Sequence, residues 1–160
     1  MSMRPLFPED LQRMAAARQH IETGSPAKAL AELNSMTPRM RFHPLALKLR
    51  AQAFAKANKW ETVADICADL DPNVEDTEVD LLHGEALHQM GETLDVYVGM
   101  EQSAELFKDS AQWNYAMARY ACRLGYLDEA EKWLKAALEL GGDELKLKAL
   151  HDPDLERMHG

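Results

Sequence analysis

Ala111-Gln112-Trp113-Asn114-Tyr115-Ala116-Met117-Ala118-Arg119-Tyr120-Ala121-Cys122-Arg123-Leu124-Gly125-Tyr126-Leu127-Asp128-Glu129-Ala130, followed by Trp133-Leu134 and Ala137-Leu138, carries the most regular pattern in the chain. Ala130, Trp133, Leu134, Ala137 and Leu138 recur at i, i+3, i+4, i+7 and i+8, which lines them along one face of a helix. Gly125 interrupts the pattern where a glycine supplies a left-handed helix end at little steric cost. The spacing therefore predicts two helices joined at Gly125. Ala118 stands seven residues before that turn and Ala130 five after it. Small side chains at such facing positions let two helices approach closely.

Working outward, the same arrangement returns three times. The turns begin at Gly24, Asn58, Gly91 and Gly125, which are 34, 33 and 34 residues apart. Pro38 and Pro72 are also 34 apart. Seven residues before the turns stand Ala17, Ala51, Gly84 and Ala118; five after stand Ala29, Val63, Val96 and Ala130. Larger apolar residues follow four further on, at Leu33, Cys67, Met100 and Leu134. Few stretches alternate with period two, and breakers such as Thr37-Pro38, Asp109-Ser110 and Gly141-Gly142 separate the periodic runs. Pro8, with Glu9 and Asp10 behind it, suits a first helical turn. The whole pattern predicts about eight short helices arranged as stacked hairpins.

These residues make the chain resemble a tetratricopeptide repeat protein, most closely over residues 111–138 and in all over residues 8–141. The resemblance implies an all-α fold: a right-handed superhelical stack of about four helix-turn-helix hairpins, at about 8–38, 43–72, 76–108 and 110–141. These form a single domain over 1–160. The early Pro38 and Pro72 predict short second helices in the first two units. Residues 143–158, with Leu145, Leu147, Leu150 and Leu155, resemble the cap that covers the apolar end of such an array.

Composition sets outer limits. The 160 residues carry a formal net charge of −9, which argues against nucleic acid as a partner. No apolar run approaches membrane-spanning length, and Met1–Pro8 shows no apolar stretch of the kind that opens a secretion signal. Two cysteines, Cys67 and Cys122, make no disulfide framework, so a reducing compartment, the cytoplasm, is the expectation, and the resemblance of the last segment to the cap of bacterial family members implies a bacterial cell. The charge is also segregated. Residues 1–60 hold ten Lys or Arg and four acids, whereas Glu61 to Phe107 hold thirteen acids and no Lys or Arg.

Catalytic signatures do not appear. The chain has no phosphate-binding glycine loop, no HExxH and no Cys-x-x-Cys. His83 and His88 are five apart and point to different helix faces. His20, Trp60 and Trp133 read as packing residues, and so do most of the nine methionines. Arg119 and Arg123 flank Cys122 and are the features that would activate a thiol there; a packed small apolar residue is the plainer reading. No metal or cofactor is expected.

The resemblance implies that the first helix of each unit lines a concave groove. Its inward stripe includes Lys48 and Gln52 in the second unit, Glu78, Glu85 and His88 in the third, and Tyr115 and Arg119 in the fourth. The expected function is a non-catalytic protein-interaction module or scaffold that holds a peptide segment in that groove. The expected partner is a protein or peptide, a basic one on the reading that the acidic block is a binding surface, with a homodimer as the alternative use of that block. A small acidic secretion-type chaperone for a disordered basic segment is the alternative within binding. A thiol- or histidine-based enzyme is the alternative of a different class.

Overall fold

The computed structural model describes residues 5–70 and 76–159, and every regular element among them is helical. Eight α-helices follow in order: α1 (Pro8–Glu22), α2 (Pro26–Asn34), α3 (Pro44–Lys56), α4 (Trp60–Asp69), α5 (Thr77–Gln89), α6 (Thr93–Glu101), α7 (Ala111–Arg123) and α8 (Leu127–Leu150). Short 3-10 turns occupy Pro38–Phe42 and Pro153–Met158. The chain divides into two compact units, Met1–Ala86 and Leu87–Gly160.

The four expected turns share one geometry. Gly24, Asn58, Gly91 and Gly125 have φ of 78°, 59°, 89° and 83°. At each, two backbone bonds close the helix end. At the first turn, Ser25 N donates to His20 O at 2.7 Å and Gly24 N to Ile21 O at 3.2 Å. The pairs Lys59 to Phe54, Glu92 to Leu87 and Tyr126 to Ala121 repeat the Ser25-to-His20 bond at 2.9 Å each. This double closure satisfies carbonyls that a helix end otherwise leaves orphaned. The small positions pack as the spacing predicts. Ala17, Ala51, Ala118, Ala29, Val63 and Ala130 have no exposed surface, and Gly84 and Val96 are buried.

In the first unit α1 packs on α2 and α3, and α3 on α4. Met14, Ile21, Leu33, Met36, Met40 and Leu49 fill the space between them. α2 stops at Asn34, ahead of Pro38, because Thr37 before the proline takes extended backbone (φ −51°, ψ 130°). Asp10 does more than favour the dipole of α1. It is buried, and its Oδ1 accepts from Thr37 N at 2.8 Å, so it ties the turn after α2 to the start of α1. The expectation resting on Pro72 lies outside the described residues.

In the second unit α7 is the central element, packed against α6, α8 and the Pro153–Met158 turn. Nearly all of it is buried, which is how a helix surrounded by neighbours reads. Ser110 Oγ caps it by accepting from Trp113 N at 3.2 Å. Trp113 stacks on Phe107 and meets Trp133 edge-on. α6 ends early, at Glu101, although no proline follows. The chain then runs in turns to α7, held there by the buried Asn114, whose amide donates to Lys108 O and Ser110 O.

The end of the chain differs from the four-leucine cap. α8 breaks at Gly142 (φ 69°, ψ −157°), and its second arm turns back. Leu155 is fully buried and Ala149 nearly so, whereas Leu147 and Leu150 are exposed and Leu145 is half-buried against Gly141. The second arm presents Leu145 and Ala149, four apart, to the molecule; Leu147 and Leu150 fall on its other sides.

Candidate functional site

The candidate contact residues fall into two ion-pair clusters, one in each unit. In the first unit Lys48, on α3, reaches the start of α5. Its Nζ lies 2.9 Å from Asp76 Oδ2 and 3.2 Å from Glu78 Oε2. Asp76 is the N-cap of α5: its Oδ1 accepts from Glu78 N at 3.0 Å and Val79 N at 3.2 Å. Partial burial works against the charge on Asp76, but Lys48 and these amides outweigh it and hold the carboxyl below its ordinary range. For Lys48, desolvation is likewise outweighed by the two carboxylates, and its pKa rises. Gln52 and Glu85 are both half-buried in this unit.

The second cluster is the more enclosed, and the sequence reading missed its centre. His88, Tyr115 and Arg119 all converge on the Asp152-Pro153-Asp154 turn. Arg119 Nη2 donates to Asp154 Oδ2 at 2.7 Å, and its Nε lies 3.3 Å from Asp152 Oδ2. Arg123 Nε stands 3.4 Å from Asp154 Oδ1. Tyr115 OH donates to Asp152 Oδ2 at 2.7 Å. His88 Nε2 faces Asp154 Oδ2 at 3.2 Å, and Thr93 Oγ1 lies 2.8 Å from Nδ1. An ionised carboxylate only accepts, so Nε2 carries a proton and the threonine hydroxyl serves the other nitrogen. The His88 ring also leans on Tyr120, with centroids 4.8 Å apart.

Burial opposes ionisation of Asp154, yet the hydrogen bonds and charges of His88 and Arg119 prevail and hold its carboxyl down to about 2. The Tyr115 hydroxyl is pushed the other way, above its ordinary range, by burial and by the negative charge of Asp152 that it donates to. Asp152 Oδ1 also caps its own turn, accepting from Asp154 N at 2.9 Å.

The stripe on α5 and α7 thus meets carboxylates of the same chain. The resemblance marked His88, Tyr115 and Arg119 as an inward stripe, but neither it nor periodicity marks a turn 35 residues beyond Arg119. The legible signal was the Asp-Pro-Asp triplet itself, an N-cap and a turn proline with a second acid in reach.

The thiols are not activated. Cys122 is fully buried and its pKa is raised by desolvation, which outweighs the help of nearby backbone amides and of Arg157. Cys67 is pushed up to about 11 by burial and by the charge of Asp80. The flanking Arg119 does not reach the sulfur's chemistry because its guanidinium is turned to Asp152 and Asp154. Among the described residues no group of three or more His, Cys, Asp or Glu is placed to hold a metal ion, and no helix is long and apolar enough to cross a membrane. Comparison with protein-family models and with curated protein sequences gives no match to this chain.

Proposed function

We propose that this chain is a tetratricopeptide-type protein-interaction module that holds a peptide segment against the first helices of its hairpins, without catalysis of its own. The observation that carries this reading is the repeated hairpin: four turns of one left-handed geometry, flanked by buried small residues. His88, Tyr115 and Arg119 are engaged by the Asp152-Pro153-Asp154 turn of the same chain, so a partner segment reaches them by displacing that turn. Hairpins closed by four equal turns supply the rigid frame that such a surface needs. The first unit offers Lys48, Gln52 and Glu78 in the same role. The cytoplasm of a bacterial cell is the proposed setting.

A second reading within binding, a small chaperone for a disordered basic segment, is favoured by the acidic block. Glu61, Asp65 and Asp69 on α4 are exposed, as are Glu92, Asp95, Glu101 and Glu105 in the second unit. Photo-crosslinking separates the readings. A crosslinking side chain at the exposed Gln112 is expected to trap a defined peptide segment of a partner in cell extract. Trapping only from Asp65 or Asp95, and by Lys- and Arg-rich sequences, favours the chaperone. Yields at all three positions no higher than at a control on α8 would sink both.

A further inference from the structure

The 3-10 turn Pro38–Phe42 is built to present an aromatic ring. Met40 points inward and is buried. Arg41 Nε donates to Met36 O at 3.1 Å, and His43 Nδ1 accepts from Leu45 N to start α3. Between these anchors Phe42 stands 76% exposed, an unusual position for a phenylalanine held by fixed backbone on both sides. Its turn carries two arginines. Arg39 is exposed beside it, and Arg41 lies close enough to Arg50 for the two positive charges to oppose each other: desolvation first, and then Arg41, lower the Arg50 pKa. An anionic neighbour would relieve that repulsion.

The second unit carries the complement. On α6, Val96 and Tyr97 face the core. At about 100° per residue, Leu94, Val98 and Glu101 share the flank next to Tyr97. Leu94 is 49% and Val98 48% exposed, and neither is covered by a neighbouring helix. The flank extends to Tyr126, itself exposed, whose ring lies 5.8 Å from that of Tyr97. Asp95 and Glu101, on the same helix, are exposed, in the stretch that holds no Lys or Arg; Glu105 beyond them pairs with Lys108 at 3.0 Å.

We propose that the Leu94, Val98 and Tyr126 flank takes the Arg39–Phe42 turn of a second copy of this chain, so that copies associate head to tail. The ring supplies apolar burial and the arginines meet the acidic rim, which fixes direction and speeds encounter. A second copy is favoured over a foreign basic segment because the matching surface, an exposed ring on an arginine-bearing turn, is present on the same molecule. The two patches differ, so the contact is heterologous and each copy keeps one open knob and one open flank. Its area is small, so association is weak and responsive to salt.

Sedimentation equilibrium of the full chain tests this. The weight-average mass is expected to rise with concentration at low ionic strength and to return to that of one chain in high salt. Phe42→Asp and the double variant Leu94→Lys with Val98→Lys change exposed side chains only, and their melting temperatures check that both fold. Each alone is expected to remain a monomer. An equimolar mixture is expected to regain association and to stop at two chains, because only one knob and one flank remain. A parent that stays monomeric at low salt overturns the proposal, even if a Lys- and Phe-rich peptide then binds the flank. Variants that associate like the parent also overturn it. So does a mixture in which both stay monomeric, which would mean a symmetric contact. None of these outcomes bears on the peptide site at His88, Tyr115 and Arg119.

Discussion

Arg119 Nη2 donates to Asp154 Oδ2 across 2.7 Å and so joins the central helix of the second unit to a turn 35 residues later. The pair is mostly buried, with side chains 15% and 16% exposed. It lies in a cluster where each carboxylate has more than one donor. Such a cluster is costly to break by removing one member, because the others are left desolvated and unpaired.

Asp154→Asn is therefore expected to lower stability by about 2–4 kcal/mol, read as a shift of the urea midpoint at neutral pH. Acid gives the second readout. The Asp154 carboxyl sits at about 2 in the folded chain, below the 3.8 of a free aspartate. Its contribution is thus fully present above the unfolded value and is lost as pH falls through the window between the two. The parent should lose stability more steeply there than Asp154→Asn. Parallel acid limbs would show that Asp154 is not the group held down.

Two glycines should respond oppositely to one substitution. Gly91 has φ of 89°, and an added Cβ meets no atom within 4 Å, so only backbone strain opposes it. Gly91→Ala is expected to cost about 1 kcal/mol. Gly99 lies inside α6 with open space around its Cβ position. Gly99→Ala should stabilise by about 0.5–1 kcal/mol, since alanine restricts the unfolded chain and favours the helix. Thermal unfolding of both checks the sign, and equal effects would contradict the left-handed turn.

Ala118→Leu probes the close approach of α7 and α8. Ala118 has no exposed surface, so the longer side chain must displace its neighbours. Loss of about 1–3 kcal/mol is expected in denaturant titration. A variant that unfolds with the parent would mean that the small-residue register does not set the packing.

At the start of α5 the two partners of Lys48 should differ in weight. Asp76 is 28% exposed and caps the helix; Glu78 is 71% exposed and only pairs. Asp76→Ala is expected to cost about 1 kcal/mol, largely through the lost cap. Glu78→Ala should stay within about 0.5 kcal/mol and lose even that in salt. A larger effect at Glu78 would assign the pair, not the cap, as the stabilising feature.

Thiol reactivity supplies a check on chemistry. Cys67 and Cys122 are both buried, with pKa values raised by desolvation. A thiol-reactive probe at neutral pH should label neither until denaturant is added. Fast labelling of Cys122 in the folded chain would reopen the thiol-enzyme alternative.

Residue type and spacing specified the four turns and the helices that meet at them, but not the early end of α6 at Glu101. Glycine or asparagine at the four turn starts fixed left-handed caps, and alanine, glycine or valine at the flanking positions fixed how closely the helices of each hairpin approach. Both are local properties of residue type and spacing, so one sequence carries them. The family resemblance marked His88, Tyr115, Arg119 and Lys48, since it turns the first helix of each unit inward and helical spacing then lines these residues along one stripe. What those side chains touch was decided by tertiary structure. The grip on Asp152 and Asp154 depends on the break at Gly142 and on Leu155 seating against α7, which bring a distant turn back onto the stripe. Asp10 read as a first-turn acid and became a buried acceptor for Thr37 N for the same reason. Periodicity states which face of a helix a residue lies on. What covers that face depends on how distant segments fold back, and long-range burial selects that arrangement.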